Sequence, residues 1–189
     1  MSTVPLPFVS IDQYLKAERG AEFRSEYAEG QMFAMSGGTL NHARIVRNLI
    51  QEVGGQLKGR DCEVAANDLR LFISRFRQFT YPDLVIFCGV PRFLDDRRDT
   101  ITDATAIIEV LSPSTKNYDR SAKFDLYRSL PSFEEYLLVA QDSVNAELLV
   151  RQSDGTWILR EFTSGDDWIE LKSVGCRLRL DSLYDRVEF

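Results

Sequence analysis

Two carboxylates stand where an apolar strand would be expected to reject them. Asp83 lies in Tyr81-Pro-Asp-Leu-Val-Ile-Phe87 and Glu109 in Ala106-Ile-Ile-Glu-Val-Leu111. Both runs are otherwise apolar and β-branched enough for interior strands. An ionised carboxylate withdrawn from water costs several kcal/mol, roughly, unless a cation or donors compensate it. Something positive must therefore stand near both: a metal ion, Lys123 on the segment that follows, or the two together. Two carboxylates and a lysine suit metal-assisted phosphodiester hydrolysis. Hard oxygen ligands hold Mg2+ or Mn2+ with positions left for water and a phosphate oxygen. The ion lowers the pKa of bound water, and an ammonium stabilises developing charge. Such chemistry needs neither histidine nor cysteine, and the chain has one of the former and three of the latter.

The surrounding elements must bring these groups together. Alternate residues of a strand share a face, so Asp83 goes with Val85 and Phe87, and Glu109 with Ile107 and Leu111. Strands are predicted at about 62–74, 81–88 and 104–111. Ser112-Pro-Ser-Thr115 then breaks the sheet, and a helix follows from about Asp119 to Leu130. On it Asp119, Lys123, Leu126, Tyr127 and Leu130 recur at spacings of three and four, which puts Lys123 on the inward stripe. A strand at 135–140 completes the order. Before these, Ser10-Ile-Asp-Gln13 reads as a capping box opening a short helix through about Ala17. Residues 25–35 read as a hairpin around Glu29-Gly30, and Ser36-Gly-Gly-Thr39 as a breaker. A long helix, 41–57, carries Ile45, Val46, Leu49, Ile50, Val53 and Leu57 at helical spacing and stops at Gly59. Beyond 140, residues 145–151 and 156–162 form a hairpin across Ser153-Asp-Gly155. Trp168 to Leu180 supplies one or two short strands. From residue 41 the core order is thus helix, three strands, helix, strand, and one α/β domain over 1–189 with a mixed central sheet fits.

Composition narrows the field. At 189 residues the chain can bury a core without structural metals or disulfides. The net charge of −6, from 23 basic and 29 acidic residues, argues against a general nucleic-acid coat. It leaves room for an enzyme that engages phosphate locally. Basic residues cluster at Arg70/Arg75/Arg77, Arg92/Arg97/Arg98 and Lys116/Arg120/Lys123, each read as a solvated face. Cys62, Cys88 and Cys176 are odd in number and widely spaced, with no CxxC pair, and Cys88 reads as a buried reduced thiol. Met1 to Phe8 lacks the basic and apolar regions of a signal peptide. No run approaches the roughly 20 apolar residues of a membrane helix, so the cytoplasm is the expected location.

The residues resemble a known group. The core order with Pro82-Asp83 and Glu109 is similar to the PD-(D/E)XK nuclease superfamily. More narrowly, the chain resembles its Uma-type restriction-endonuclease-like family from about Ile11 to Leu183. The likeness rests on Glu26-Tyr-Ala-Glu-Gly-Gln31, Ser36-Gly-Gly-Thr-Leu-Asn-His42, Asn67-Asp-Leu-Arg70, Tyr81-Pro-Asp-Leu-Val85, Ile108-Glu-Val-Leu-Ser-Pro-Ser-Thr115, Tyr118-Asp-Arg120, Lys123-Phe-Asp-Leu-Tyr-Arg128 and Glu135-Tyr-Leu-Leu-Val139. It implies a restriction-endonuclease-like fold and a metal-dependent DNA endonuclease, with Asp83 and Glu109 as Mg2+ ligands and Lys123 assisting the attacking water. Related folds often pair two active sites, so a homodimer is implied by analogy. In the superfamily pattern the lysine stands two residues after the glutamate, where this chain has Leu111. The resemblance implies that its role passes to Lys123.

Plainer duties compete at each position. Asp83 can open a strand, Glu109 can cap a turn, and Lys123 can form an i, i+4 ion pair with Asp119. Glu29, Asp68 and His42 are possible accessory groups; a hairpin turn, a polar strand position and a helix-terminus or interior polar contact are their alternatives. Ser112, Ser114 and Thr115 could touch phosphate or serve the turn. The rival functional reading is a catalytically silent binding or regulatory module that keeps the fold. A third is a hydrolase for another phosphoester.

Overall fold

A computed structural model describes residues 7–35 and 37–189. Residues 1–6 of the stretch inspected for a signal peptide, and Ser36 of the Ser36–Thr39 breaker, lie outside them. Helix α1 (Ile11–Glu18) opens with the expected capping box, in which Ser10 and Gln13 satisfy each other's backbone N–H groups. Strands β1 (Ser25–Ala28) and β2 (Gln31–Ala34) form the hairpin. Glu29 and Gly30 both take positive φ, the backbone a two-residue turn between twisted strands requires. Helix α2 (Leu40–Leu57) is capped by Thr39, whose Oγ1 accepts the His42 N–H at 3.1 Å.

The order then becomes richer than predicted. The stretch 62–74 is two strands, β3 (Cys62–Ala66) and β4 (Arg70–Ile73), and they belong to different sheets. Asn67 breaks it with φ 54°, a left-handed conformation asparagine tolerates better than most residues. After β5 (Gln78–Thr80), strand β6 (Leu84–Cys88) starts one residue beyond Asp83. Then come β7 (Thr100–Ile101) and β8 (Ala106–Leu111). The predicted helix from Asp119 is built of one-turn pieces: α3 (Lys116–Tyr118), a π-helical turn (Asp119–Lys123) and α4 (Phe124–Tyr127). Strands β9 (Glu135–Ala140), β10 (Ala146–Arg151), β11 (Trp157–Phe162), β12 (Trp168–Leu171) and β13 (Cys176–Arg179) follow, with a last turn α5 (Leu180–Leu183).

The central sheet has the order β11-β10-β9-β8-β6-β3, antiparallel throughout except for the parallel β8–β9 pair. Its members β3, β6, β8 and β9, with α2 before them and the broken helix before β9, reproduce the helix–three strands–helix–strand order. Strands β4, β5 and β7 leave it to build a second sheet, β2-β1-β5-β4-β7, with the hairpin. One face of the central sheet packs Leu84, Ile86, Ile108, Val110, Leu137 and Val139 against α2 and the C-terminal elements. The other packs Val85, Phe87, Ile107, Leu111 and Leu138 against Leu126, Tyr127, Leu130 and the second sheet's Leu71 and Ile73. Each fully buried Leu, Ile or Val contributes about 1.5–3 kcal/mol. Glu109 alternates onto this second face.

Two readings need correction. Cys88 is not a reduced thiol: Cys62 and Cys88 are direct partners in the β3–β6 register and are joined by a disulfide, their Cα atoms 3.9 Å apart. Antiparallel register created the proximity, and a sequence separation of 26 concealed it. Cys176 is free and buried. Nor are the first and third basic clusters solvated faces throughout, because Arg70 is buried, bonded to Thr100 Oγ1 at 3.0 Å and paired with Asp99 at 2.6 Å, and Lys123 is buried as well. Among the described residues, no helix is long and apolar enough to cross a membrane.

Candidate active site

Register brings the two carboxylates together. Leu84 pairs with Ile108 across β6 and β8, so the antiparallel step before it sets Asp83 beside Glu109. The Asp83 N–H donates to Glu109 Oε2 at 3.3 Å, and the Val110 N–H donates to Asp83 Oδ2 at 2.8 Å. Proline at 82 suits this point, since no backbone donor is needed there and its ring fixes the approach to the strand.

Lys123 completes the cluster. Its Nζ donates to Glu109 Oε1 at 2.9 Å and lies 3.2 Å from Asp119 and 3.7 Å from Glu26. The i, i+4 pair with Asp119 therefore exists, and it is one part of a larger array. Tyr127 donates its hydroxyl to Glu109 Oε1 at 2.9 Å. The ring of Tyr118 lies 5.7 Å from the ammonium, and its hydroxyl donates to Glu26 at 3.4 Å. His42 Nε2 stands 3.3 Å from Asp83 Oδ1. All these groups except Tyr127 border one cavity of about 980 Å³ between the hairpin, the start of α2 and the helical segment after β8.

Charge in this cluster is unbalanced. Glu26, Asp83, Glu109 and Asp119 face the single ammonium of Lys123. Burial drives the Glu109 pKa up to about 8, with Asp83 and Asp119 adding to the rise and Lys123 opposing it. Burial acts to lower the Lys123 pKa, but the Glu109, Glu26 and Asp119 carboxylates together hold it well above the usual lysine range. The bond to Asp83 raises the His42 pKa against the opposing effect of burial. Glu109 thus retains a proton into the neutral range, chiefly because it is buried and also because too little positive charge faces it.

The other expected accessory groups stand apart. Glu29 is exposed at the hairpin turn. Asp68 is exposed and paired with Arg24 at 3.3 Å. Neither borders the cavity. Ser112 serves the turn, its Oγ accepting the Thr115 N–H at 3.1 Å, although Ser112, Ser114 and Thr115 also form cavity wall. Three participants were missed. Glu26 sits in a motif already noted, but no local period points it at the cluster, which its hairpin meets through the β1–β5 pairing. The sequence offers Asp119 only as an ion-pair partner of Lys123. Tyr127 stands on the inward stripe, where its spacing implies only a core role.

A mixed sheet with this crossover, flanked by α2 and the broken helix, defines the restriction-endonuclease-like fold. The fold is shared with a crystal structure described as "a putative nuclease belonging to DUF820" from Anabaena variabilis. The TM-score is 0.76 at 18% identity, over 95% of this chain and 99% of that one. The chain belongs to the Uma2 family, described as "Putative restriction endonuclease", whose model matches residues 11–181. Two Synechocystis sp. proteins are similar. The uncharacterized protein slr1290 is 38% identical over 99% of this chain and 97% of its own length. The uncharacterized protein sll1609 is 32% identical over 84% and 89%.

Proposed function

We propose that this protein is a metal-dependent nuclease that hydrolyses phosphodiester bonds in DNA, with its reaction centre at Asp83, Glu109 and Lys123. The observation that carries the reading is convergence: one carboxylate from the approach to β6, one from β8 and an amine from the next helical turn meet in one cavity. Family membership supports the same class of activity.

The donor set fits Mg2+ or Mn2+. Among the described residues, no three His, Cys, Asp or Glu side chains form a ready-made metal cage. Magnesium, however, characteristically uses one or two carboxylates and keeps several waters. Asp83 and Glu109 would hold it, and the excess of carboxylates over ammonium gives a divalent cation a favourable place. When bound, the ion would supply Lewis acidity and an activated water. The chain's own groups do the rest. Val110 N–H and His42 orient Asp83, and Tyr127 and Lys123 fix Oε1 of Glu109. Lys123, whose ammonium borders the cavity, would hold the attacking water or a scissile phosphate oxygen.

Incubating the protein with supercoiled plasmid and single-stranded DNA, with Mg2+ or Mn2+ and with or without chelator, tests the proposal. Cleavage should need metal and fall by about 100-fold or more in folded Asp83→Ala, Glu109→Ala and Lys123→Ala proteins. Metal-independent nicking, or cleavage unaltered in all three, would end it. Metal binding lost in Asp83→Ala separates a nuclease from a silent module, which has no need of the ion.

A further inference from the structure

We propose that the cavity takes an unpaired nucleotide, with its base stacked on Phe33 while its phosphate lies at the carboxylate–lysine cluster. This rests on the nuclease reading and narrows its substrate to single-stranded or frayed segments. The first support is register. Phe33 is the direct cross-strand partner of Glu26 in the β1–β2 hairpin, and directly opposed side chains stand on one face about 5 Å apart. Glu26 reaches to 3.7 Å from the Lys123 ammonium, so an aromatic ring stands on the same hairpin face as a carboxylate that enters the cluster. That ring is 51% exposed and borders the cavity. Met35, two residues on and also exposed, extends the same side.

The second support is the opposing wall. Val46 and Ile50, one helical turn apart on α2, border the same cavity. An apolar mouth above a charged floor matches the two halves of a nucleotide. An exposed phenylalanine on a two-stranded hairpin adds nothing to the core that would otherwise account for it.

The third support is the shortage of cations. Arg47 and Lys123 are the Lys and Arg side chains bordering the cavity among the described residues, and Glu26, Asp83, Glu109 and Asp119 outnumber them. A protein that tracks a duplex through six to ten phosphates, roughly, draws its affinity from a matching number of Lys and Arg contacts. Here base stacking must supply the larger share, and stacking requires a base free of its partner.

Binding of a short fluorescein-labelled oligonucleotide, single-stranded or as a blunt duplex, should be measured by anisotropy across a salt series. Ca2+ replaces Mg2+ in these titrations, and cleavage of both forms is followed separately with Mg2+. The single strand should bind more tightly, with a slope of log K against log salt no steeper than about −1.5, equivalent to one or two phosphates. Phe33→Ala should weaken single-strand binding by about 5- to 100-fold and leave duplex binding unaltered. Phe33→Trp should restore it, whereas Phe33→Leu, apolar but without an aromatic face, should not. Equal or better binding and cleavage of duplex, with Phe33→Ala neutral, would overturn the inference while the nuclease reading stands. Stacked single-strand binding with no cleavage under Mg2+ or Mn2+ would uphold the inference and remove the nuclease reading. Binding to neither form would overturn both.

Discussion

Replacing Lys123 by methionine separates its electrostatic duty from its packing duty. Methionine retains most of the buried stem but leaves Glu109, Asp119 and Glu26 without the ammonium now 2.9, 3.2 and 3.7 Å away. The loss must depend on pH, because the Glu109 pKa is raised to about 8 even with the lysine present. A carboxyl raised in the folded state stabilises the fold fully below its ordinary value near 4.5. That contribution is lost as pH rises through the folded pKa. Below about 8 Glu109 is neutral in both proteins, and the variant should lose the charged hydrogen bond to it, about 1.5–3 kcal/mol, along with the ion pairs to Asp119 and Glu26. Above 8 the wild type ionises Glu109 against Lys123, while the variant must hold the proton or strand the charge. The gap should then widen by up to about 1.4 kcal/mol per pH unit. Its limit is the roughly 3–5 kcal/mol of a stranded buried charge. Urea unfolding of both proteins at pH 6 and pH 9 reads this directly, and cleavage should be lost at both. Mg2+ should raise the variant's stability more than the wild type's, since it restores positive charge to the folded state alone. A gap that is constant or narrows with pH would refute Glu109 as the partner that matters.

Further outcomes follow from other contacts. Tyr127→Phe removes a buried donor to Glu109 and should cost about 1.5–3 kcal/mol by urea denaturation, with a fall in cleavage rate under Mg2+. Arg70→Leu should cost about 2 kcal/mol at neutral pH, because Arg70 and Arg19 both pair with Asp99. The Arg19 hydrogen bond, aided by Arg70, holds the Asp99 carboxyl well below its usual range. That stabilisation is present above the ordinary Asp value and is lost as pH falls through the depressed one. The penalty measured by thermal melts should therefore shrink in acid. Reducing the Cys62–Cys88 bridge, which closes a loop across 26 positions, should lower unfolding free energy by about 3 kcal/mol in the chain-entropy view. Urea midpoints with and without dithiothreitol would show it.

The cluster was legible where local pattern and chemistry agreed. Asp83 and Glu109 were visible because carboxylates in apolar strands demand compensation, and Lys123 because its spacing set it among Leu126, Tyr127 and Leu130. Glu26 was invisible for a physical reason. Its hairpin meets the cluster through pairing between β1 and β5, a long-range contact that no local period reports. The division of 62–74 between two sheets was hidden likewise, since β3 and β4 are each ordinary strands and only the left-handed turn at Asn67 separates them. The Cys62–Cys88 bridge required knowing the register of β3 against β6. The disposition of Glu29 and Asp68 followed turn and edge behaviour over chemistry, and their motif positions alone could not decide between the two.

Supplying the amine from a helical turn has an architectural consequence. Leu111 is free to pack with Ile107 and Val85, so strand β8 is complete without any cationic member. The ammonium instead rides on pieces of three, five and four residues, too short to persist without the surfaces they rest on. Scaffold and cation delivery are consequently borne by different elements: a change at Lys123 alters the charge presented to the cavity without altering the pairing of β6, β8 and β9 beneath it.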